Sequence, residues 1–157
     1  MNAQHYTKYG NKITKTAEKV RANCVLISMT IATDNEYDAV ETFAVEQLKY
    51  KRNKGVYTHF SRKAFDKENP KFNGSLLKHF SNIKDVDAFI PTNEDNRRAM
   101  TVGQFTNSPE FKKGRYMIYV NRHAMSYVDG VLYGNEIDAH KPKRPILFVV
   151  EFTLKNK

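Results

Sequence analysis

The stretch GRYMIYVNRHAMSYVDGVLYG, residues 114–134, decides how the chain is read. Tyr116, Ile118 and Val120 alternate with Met117, Tyr119 and Asn121, and a period of two belongs to a β-strand. His123–Val128 and Val131–Tyr133 read as two further strands. Asp129-Gly130 joins them, and this dipeptide suits a two-residue hairpin because both its residues accept positive φ. Such a turn fixes the register, so that Val128 faces Val131, Met125 faces Gly134 and His123 faces Glu136. Paired residues share a face of the sheet. His123 is therefore expected beside Met125, Gly134 and Glu136, while Asp129 is a turn residue.

Upstream, the period changes. Asn23 is a good N-cap and precedes CVLISMTIAT, a run apolar on nearly every side, as in a buried helix. Cys24 then falls in the first turn, where free N–H groups and the helix dipole favour a thiolate. The competing reading of a lone cysteine is a small buried hydrophobe. Thr33-Asp34-Asn35-Glu36 has the pattern of a capping box. Tyr37, Val40, Phe43, Ala44 and Leu48 follow at helical spacing, predicting an amphipathic helix to about Tyr50. Two short helices are expected at Ser61–Lys67 and Ser75–Phe80, with His59 and His79 on the surface. Residues 81–99 are polar and broken by Pro91, and read as a flexible loop. Thr101 caps a short helix, Pro109 starts another, and Ile146–Leu154 is a last strand. Helices first and an antiparallel sheet second make a single α+β domain over 1–157, with a basic lead-in at 1–22 that is either loose or a short strand.

Composition bounds the chemistry. The chain has 157 residues, enough to bury one real core. Lysine and arginine exceed aspartate and glutamate by 26 to 17, a formal charge of +9 that favours acidic partners. The basic runs Lys49–Lys54, Arg97-Arg98 and Lys141–Arg144 offer a surface for nucleic acid, although scattered charge is more simply a solvated surface. With a single cysteine there is no internal disulfide and no thiolate-rich zinc site, which fits a reducing compartment. No apolar leader opens the chain, and the run ILFVV is too short to cross a bilayer. These features lead us to expect a cytoplasmic protein with no cofactor, no metal and no membrane partner.

A cysteine at a helix start and a histidine on a downstream strand are what thiol acyl transfer requires. The imidazole takes the thiol proton and later protonates the leaving group, while a third polar group steadies the ring. Such partners meet in space, not in sequence. Two blocks carry a resemblance. One runs from Asn23-Cys24-Val25 through Ala32-Thr33 to Tyr37-Asp38-Ala39-Val40. The other comprises Thr101-Val102-Gly103-Gln104-Phe105, Gly114-Arg115-Tyr116, His123-Ala124, Val128-Asp129-Gly130-Val131 and Tyr133. In this order they resemble small bacteriophage-encoded proteins of the papain-like cysteine peptidase fold, distantly similar to bacteriocin-processing peptidases. The resemblance covers about a third of the chain and leaves residues 50–100 unmatched.

The resemblance implies Cys24 as nucleophile, His123 as base, a phage origin and a peptide or protein substrate. It also exposes departures. The family often has an acid where Gly134 stands, so Glu136, or Asp138 if the strand continues, must orient the ring. The family's oxyanion glutamine is replaced by Glu18, with Gln4 as a more distant candidate, and its glycine before the histidine is Arg122. The expected activity is a cysteine hydrolase or acyl transferase acting on peptide or isopeptide-type bonds. The alternative is an inactive papain-like scaffold that binds a host protein, with nucleic-acid binding ranked last.

Overall fold

A computed structural model describes residues 3–10, 12–13, 23–52, 54–56, 65, 70–95, 97–135 and 137–155. The alternating run of the opening stretch forms its centre. Strand β3 (Arg115–Val120) pairs antiparallel with β4 (His123–Val128) on one side and with β6 (Phe148–Leu154) on the other. All six residues of β3 are buried, because both faces of the sheet are covered. Tyr116, Ile118 and Val120 enter one apolar cluster, and Met117 and Tyr119 the other. The alternation is thus between two cores, not between core and water.

The hairpin forms as the sequence predicts. Asp129 and Gly130 have φ of 48° and 85°, and Val128 pairs with Val131 at the head of β5 (Val131–Gly134). The Asp129 carboxylate accepts from the Gly114 N–H at 3.1 Å, which closes the base of the neighbouring turn. The pairing with β4 runs to Ser126 and Tyr133. Gly134 pairs instead with His5 of β1 (Ala3–His5), which lies parallel to β5.

The sheet has six strands in the order β1-β5-β4-β3-β6-β2, where β2 is Ile83–Phe89. Two expectations are corrected here. The sheet is mixed, not purely antiparallel, because the N-terminal lead-in contributes β1. Residues 81–99 are not simply a flexible loop, because most of their first half is β2. Val86 packs inward, while Asp85 and Asp87 alternate with it along β6, a pattern hidden by the polarity of an edge strand.

Helix α1 (Cys24–Thr33) is buried from Val25 to Thr33 and packs on β3, β4, β5 and β6. Asn23 is its N-cap residue, but its side chain donates to the Tyr37 hydroxyl at 3.0 Å and not back to the helix. Thr33 does not open a capping box either. It ends α1, its hydroxyl bonded to the Met29 carbonyl, and Asp34 turns the chain with φ of 58°. Helix α2 (Tyr37–Gln47) begins after Glu36 and buries Tyr37, Val40, Phe43 and Ala44.

Helix α3 (Pro70–His79) contains most of the expected Ser75–Phe80 segment, whereas Ser61–Lys67, apart from Phe65, and His59 lie outside the described residues. His79 is exposed, as expected, and bonds the Ala39 carbonyl. Helix α4 (Val102–Asn107) carries the complete capping box of Thr101 and Gln104. With the turn at Pro109–Phe111 it covers the sheet face opposite α1, through Phe105, Phe111, Tyr116 and Tyr127. Among the described residues no helix is long and apolar enough to cross a membrane.

Candidate active site

Helix α1 and strand β4 bring their first residues to one cleft. The free, half-buried thiol of Cys24 and the ring of His123 line a cavity of about 370 Å³ together with His5, Tyr6, Thr7, Asn23, Arg122 and Asn135. Cys24 and Asp138 both act on the ring and favour its charged form. Its Nε2 lies 2.8 Å from Asp138 Oδ2. A thiol, an imidazole and a carboxylate therefore stand in sequence.

Asp138 is 1% exposed and fully engaged. Its Oδ2 also accepts from the Asn135 N–H at 2.7 Å, and its Oδ1 accepts from Arg144 Nη2 at 2.7 Å. Burial would raise its pKa, but the bonds from His123 and Arg144 hold it below its ordinary value of 3.8. His123 moves the other way. Burial disfavours the charged ring, yet the hydrogen bonds and charges of Asp138 and Cys24 outweigh that and push it up from 6.5 to about 9. The ring is thus a cation near neutral pH, and a buried cation of this kind is stable only because it is paired.

Gly134 explains how the carboxylate arrives. The sequence register puts this position on the His123 face, where an orienting acid belongs. A Cβ built there would lie 1.9 Å from Asp138 Oδ2. The residue is small because the carboxylate of Asp138 fills the space a side chain would take. The chain leaves β5 at Asn135 and winds into a short 3-10 turn at Asp138–His140, which returns the acid behind the ring. Of the two orienting acids expected, Asp138 is in place, though from a turn and not from a continued strand. Glu136 lies outside the described residues.

Tyr6 closes the cleft from the N-terminal segment. Its hydroxyl donates to the Ala124 carbonyl, the residue after His123, and its ring meets the imidazole edge-on at 6.4 Å between centroids. Burial and the nearby charge of Cys24 raise its pKa well above the ordinary tyrosine value, so it stays a protonated donor. Gln4 is exposed on β1 and lies beside Asp138 and Asn135, not among the residues that line the Cys24 cleft. Glu18 lies outside the described residues. The first backbone N–H groups of α1 have no intrahelical acceptor.

Reading the sequence missed Arg144, Tyr6 and the steric role of Gly134. Arg144 had a faint signal, a cation six residues after Asp138, but it was read as part of a basic run. Nothing in the sequence ties Tyr6 to Ala124. Among the described residues no cluster of histidine, cysteine and acid is arranged to hold a metal ion. Comparison of the chain with protein-family models, with curated proteins and with solved structures finds no match.

Proposed function

We propose that the protein is a cysteine hydrolase or acyl transferase of papain-like design, acting on peptide or isopeptide-type bonds. One observation carries this reading: the chain of Cys24, His123 and Asp138, with the last at 2.8 Å from the ring and itself held by Arg144. A buried histidine alone is commonly structural. A histidine placed between a helix-start thiol and a buried carboxylate, at the wall of an open cleft, has the geometry of an activated nucleophile. Support for the papain-like reading of the fold is the thiol at the start of a buried helix packed on a sheet that carries the histidine at a strand start.

In the first step the Cys24 thiolate attacks the acyl carbon, forming a C–S bond. The proton on His123 passes to the leaving amine as its bond to the acyl carbon breaks. In the second step His123 takes a proton from water, or from an acceptor amine, which attacks the thioester carbon. The C–S bond breaks, and the proton returns to the thiolate–imidazole pair. Asp138 fixes the ring's orientation and stabilises its charge throughout. An orienting carboxylate at Gly134 is not needed for this chemistry, because Asp138 fills that place.

Alkylation of Cys24 by iodoacetamide tests the reading. At pH 7 His123→Ala should slow it by about tenfold or more, with Asp138→Asn between the two. A small activated ester should leave an acyl group on Cys24 in the wild type. An alkylation rate indifferent to His123→Ala, with no acyl adduct, would overturn the assignment.

A further inference from the structure

We propose that Arg122 is a specificity residue, and that the cleft takes acyl substrates bearing a carboxylate next to the bond that is cut. This rests on Cys24 being the nucleophile, and it adds the charge of the substrate. Arg122 lines the same cavity as Cys24 and His123. It occupies the turn between β3 and β4, beside the pair Val120 and His123, and its side chain is exposed.

Two observations single it out. The first is its backbone. Arg122 has φ of 59°, in the left-handed region that glycine occupies without strain and a long side chain does not. A tight turn between strands offers glycine or asparagine as easier solutions. A strained arginine at the mouth of a cleft points to a use for its side chain.

The second is the charge inside the cleft. Asp138 is balanced by Arg144 and His123. Arg122 has no hydrogen bond or ion pair among the described residues. The described lining holds two histidines and this arginine, and no aspartate or glutamate. Among the described residues, one fixed cation therefore stands without a partner in the cleft that holds Cys24. A guanidinium presents paired N–H donors that match a carboxylate in two-point contact. A carboxylate on the substrate, from an acidic side chain or from a chain terminus, completes the set.

The experiment compares two alkylating reagents of similar size, neutral iodoacetamide and anionic iodoacetate, on the intact protein. The ratio of their rates at Cys24 reports the cation. Arg122→Gln should lower the iodoacetate-to-iodoacetamide ratio by about threefold and Arg122→Glu by about tenfold at low salt, with the difference shrinking at high salt. Arg122→Lys should restore most of the ratio. Arg122→Gly, which relieves the backbone, should lower the ratio like glutamine without loss of stability. A change in thiol reactivity common to both reagents cancels in the ratio, so only the response to the reagent's charge is read.

Protection of Cys24 from iodoacetamide then separates the sources. A glutamate-rich peptide blocked at both ends reports a side-chain carboxylate, and a glutamine-rich peptide with a free C-terminus reports a terminal one. A glutamine-rich peptide blocked at both ends is the control. Protection above that control that is lost in Arg122→Gln supports the assignment. A rate ratio unchanged by Arg122→Gln and Arg122→Glu, or equal protection by all three peptides, would overturn it. Loss of the His123 dependence instead would fault the nucleophile and not Arg122.

Discussion

Replacing one hydrogen of Gly134 by a methyl group would place a carbon 1.9 Å from a carboxylate oxygen of Asp138. Something must move, and the acid is the movable partner because β5 is locked between β1 and β4. Gly134→Ala should therefore cost about 1–3 kcal/mol in denaturant unfolding. It should also slow acylation on the order of ten- to a hundredfold, since small displacements of an orienting group are felt in the rate. Paired with Asp138→Asn it should add little further loss of rate, as expected for two changes with one target. A rate close to wild type in Gly134→Ala would show that the carboxylate is not held by this contact. The same position shows where sequence reading stops. The hairpin register was legible from Asp129-Gly130, and it gave the correct face for the ring. What it could not show is that the chain abandons the strand at Asn135 and turns an acid back from Asp138. That turn is held by the Asn135 N–H donating to the Asp138 carboxylate, which no period encodes.

Helix α1 was legible because nearly every residue is apolar, and a helix of that kind has only one place to go. Its far end was not legible. Arg115, at the start of β3, sends Nε to the Ala32 carbonyl at 2.8 Å and Nη2 to the Ile31 carbonyl at 2.7 Å. A guanidinium thus satisfies the last carbonyls of the helix at its negative end. Nη2 also reaches the Tyr9 hydroxyl, which in turn donates to Asp34, the partner of Lys12. Lys12 therefore belongs to this anchor and not to a free basic arm. The element that presents the thiol at one end is fixed at the other by a buried cation. Arg115→Met should lower stability by about 1–3 kcal/mol in urea unfolding, because it takes the donor from the Ala32 carbonyl and removes one of the two on the Ile31 carbonyl. Arg115→Lys should recover less than half of that, since a single ammonium lacks the fork. Full recovery by lysine would mean that charge alone matters there.

At the scale of the molecule, the buried pair makes folding depend on pH. His123 is raised from 6.5 to about 9, so its contribution is complete below 6.5 and is lost as pH rises through about 9. Asp138 is lowered from 3.8, so its contribution is present above 3.8 and is lost as pH falls through its depressed value. The pair therefore supports the fold most fully between pH 3.8 and 6.5. The difference in unfolding free energy between wild type and Asp138→Asn should be largest in that window, on the order of 1–3 kcal/mol because Cys24 shares in the shift of His123, and shrink toward pH 9 and above. A difference constant from pH 5 to pH 10 would contradict the pairing. The α+β class and the C-terminal strands could be read from period and turns. The two outer strands could not, because β1 has only three residues and β2 carries the polar pattern of an edge.

Strand β1 has a consequence for the order of synthesis. It pairs Gln4 with Tyr133, so residues made at the start wait for residues made near the end. The helix bearing Cys24 leaves the ribosome well before Asp138 and Arg144, by on the order of ten seconds at ordinary elongation rates. Through that interval the thiol exists without the carboxylate that bonds His123. On the reading proposed above, the nascent chain is unable to carry out acyl transfer until Asp138 has been made and has folded back onto His123.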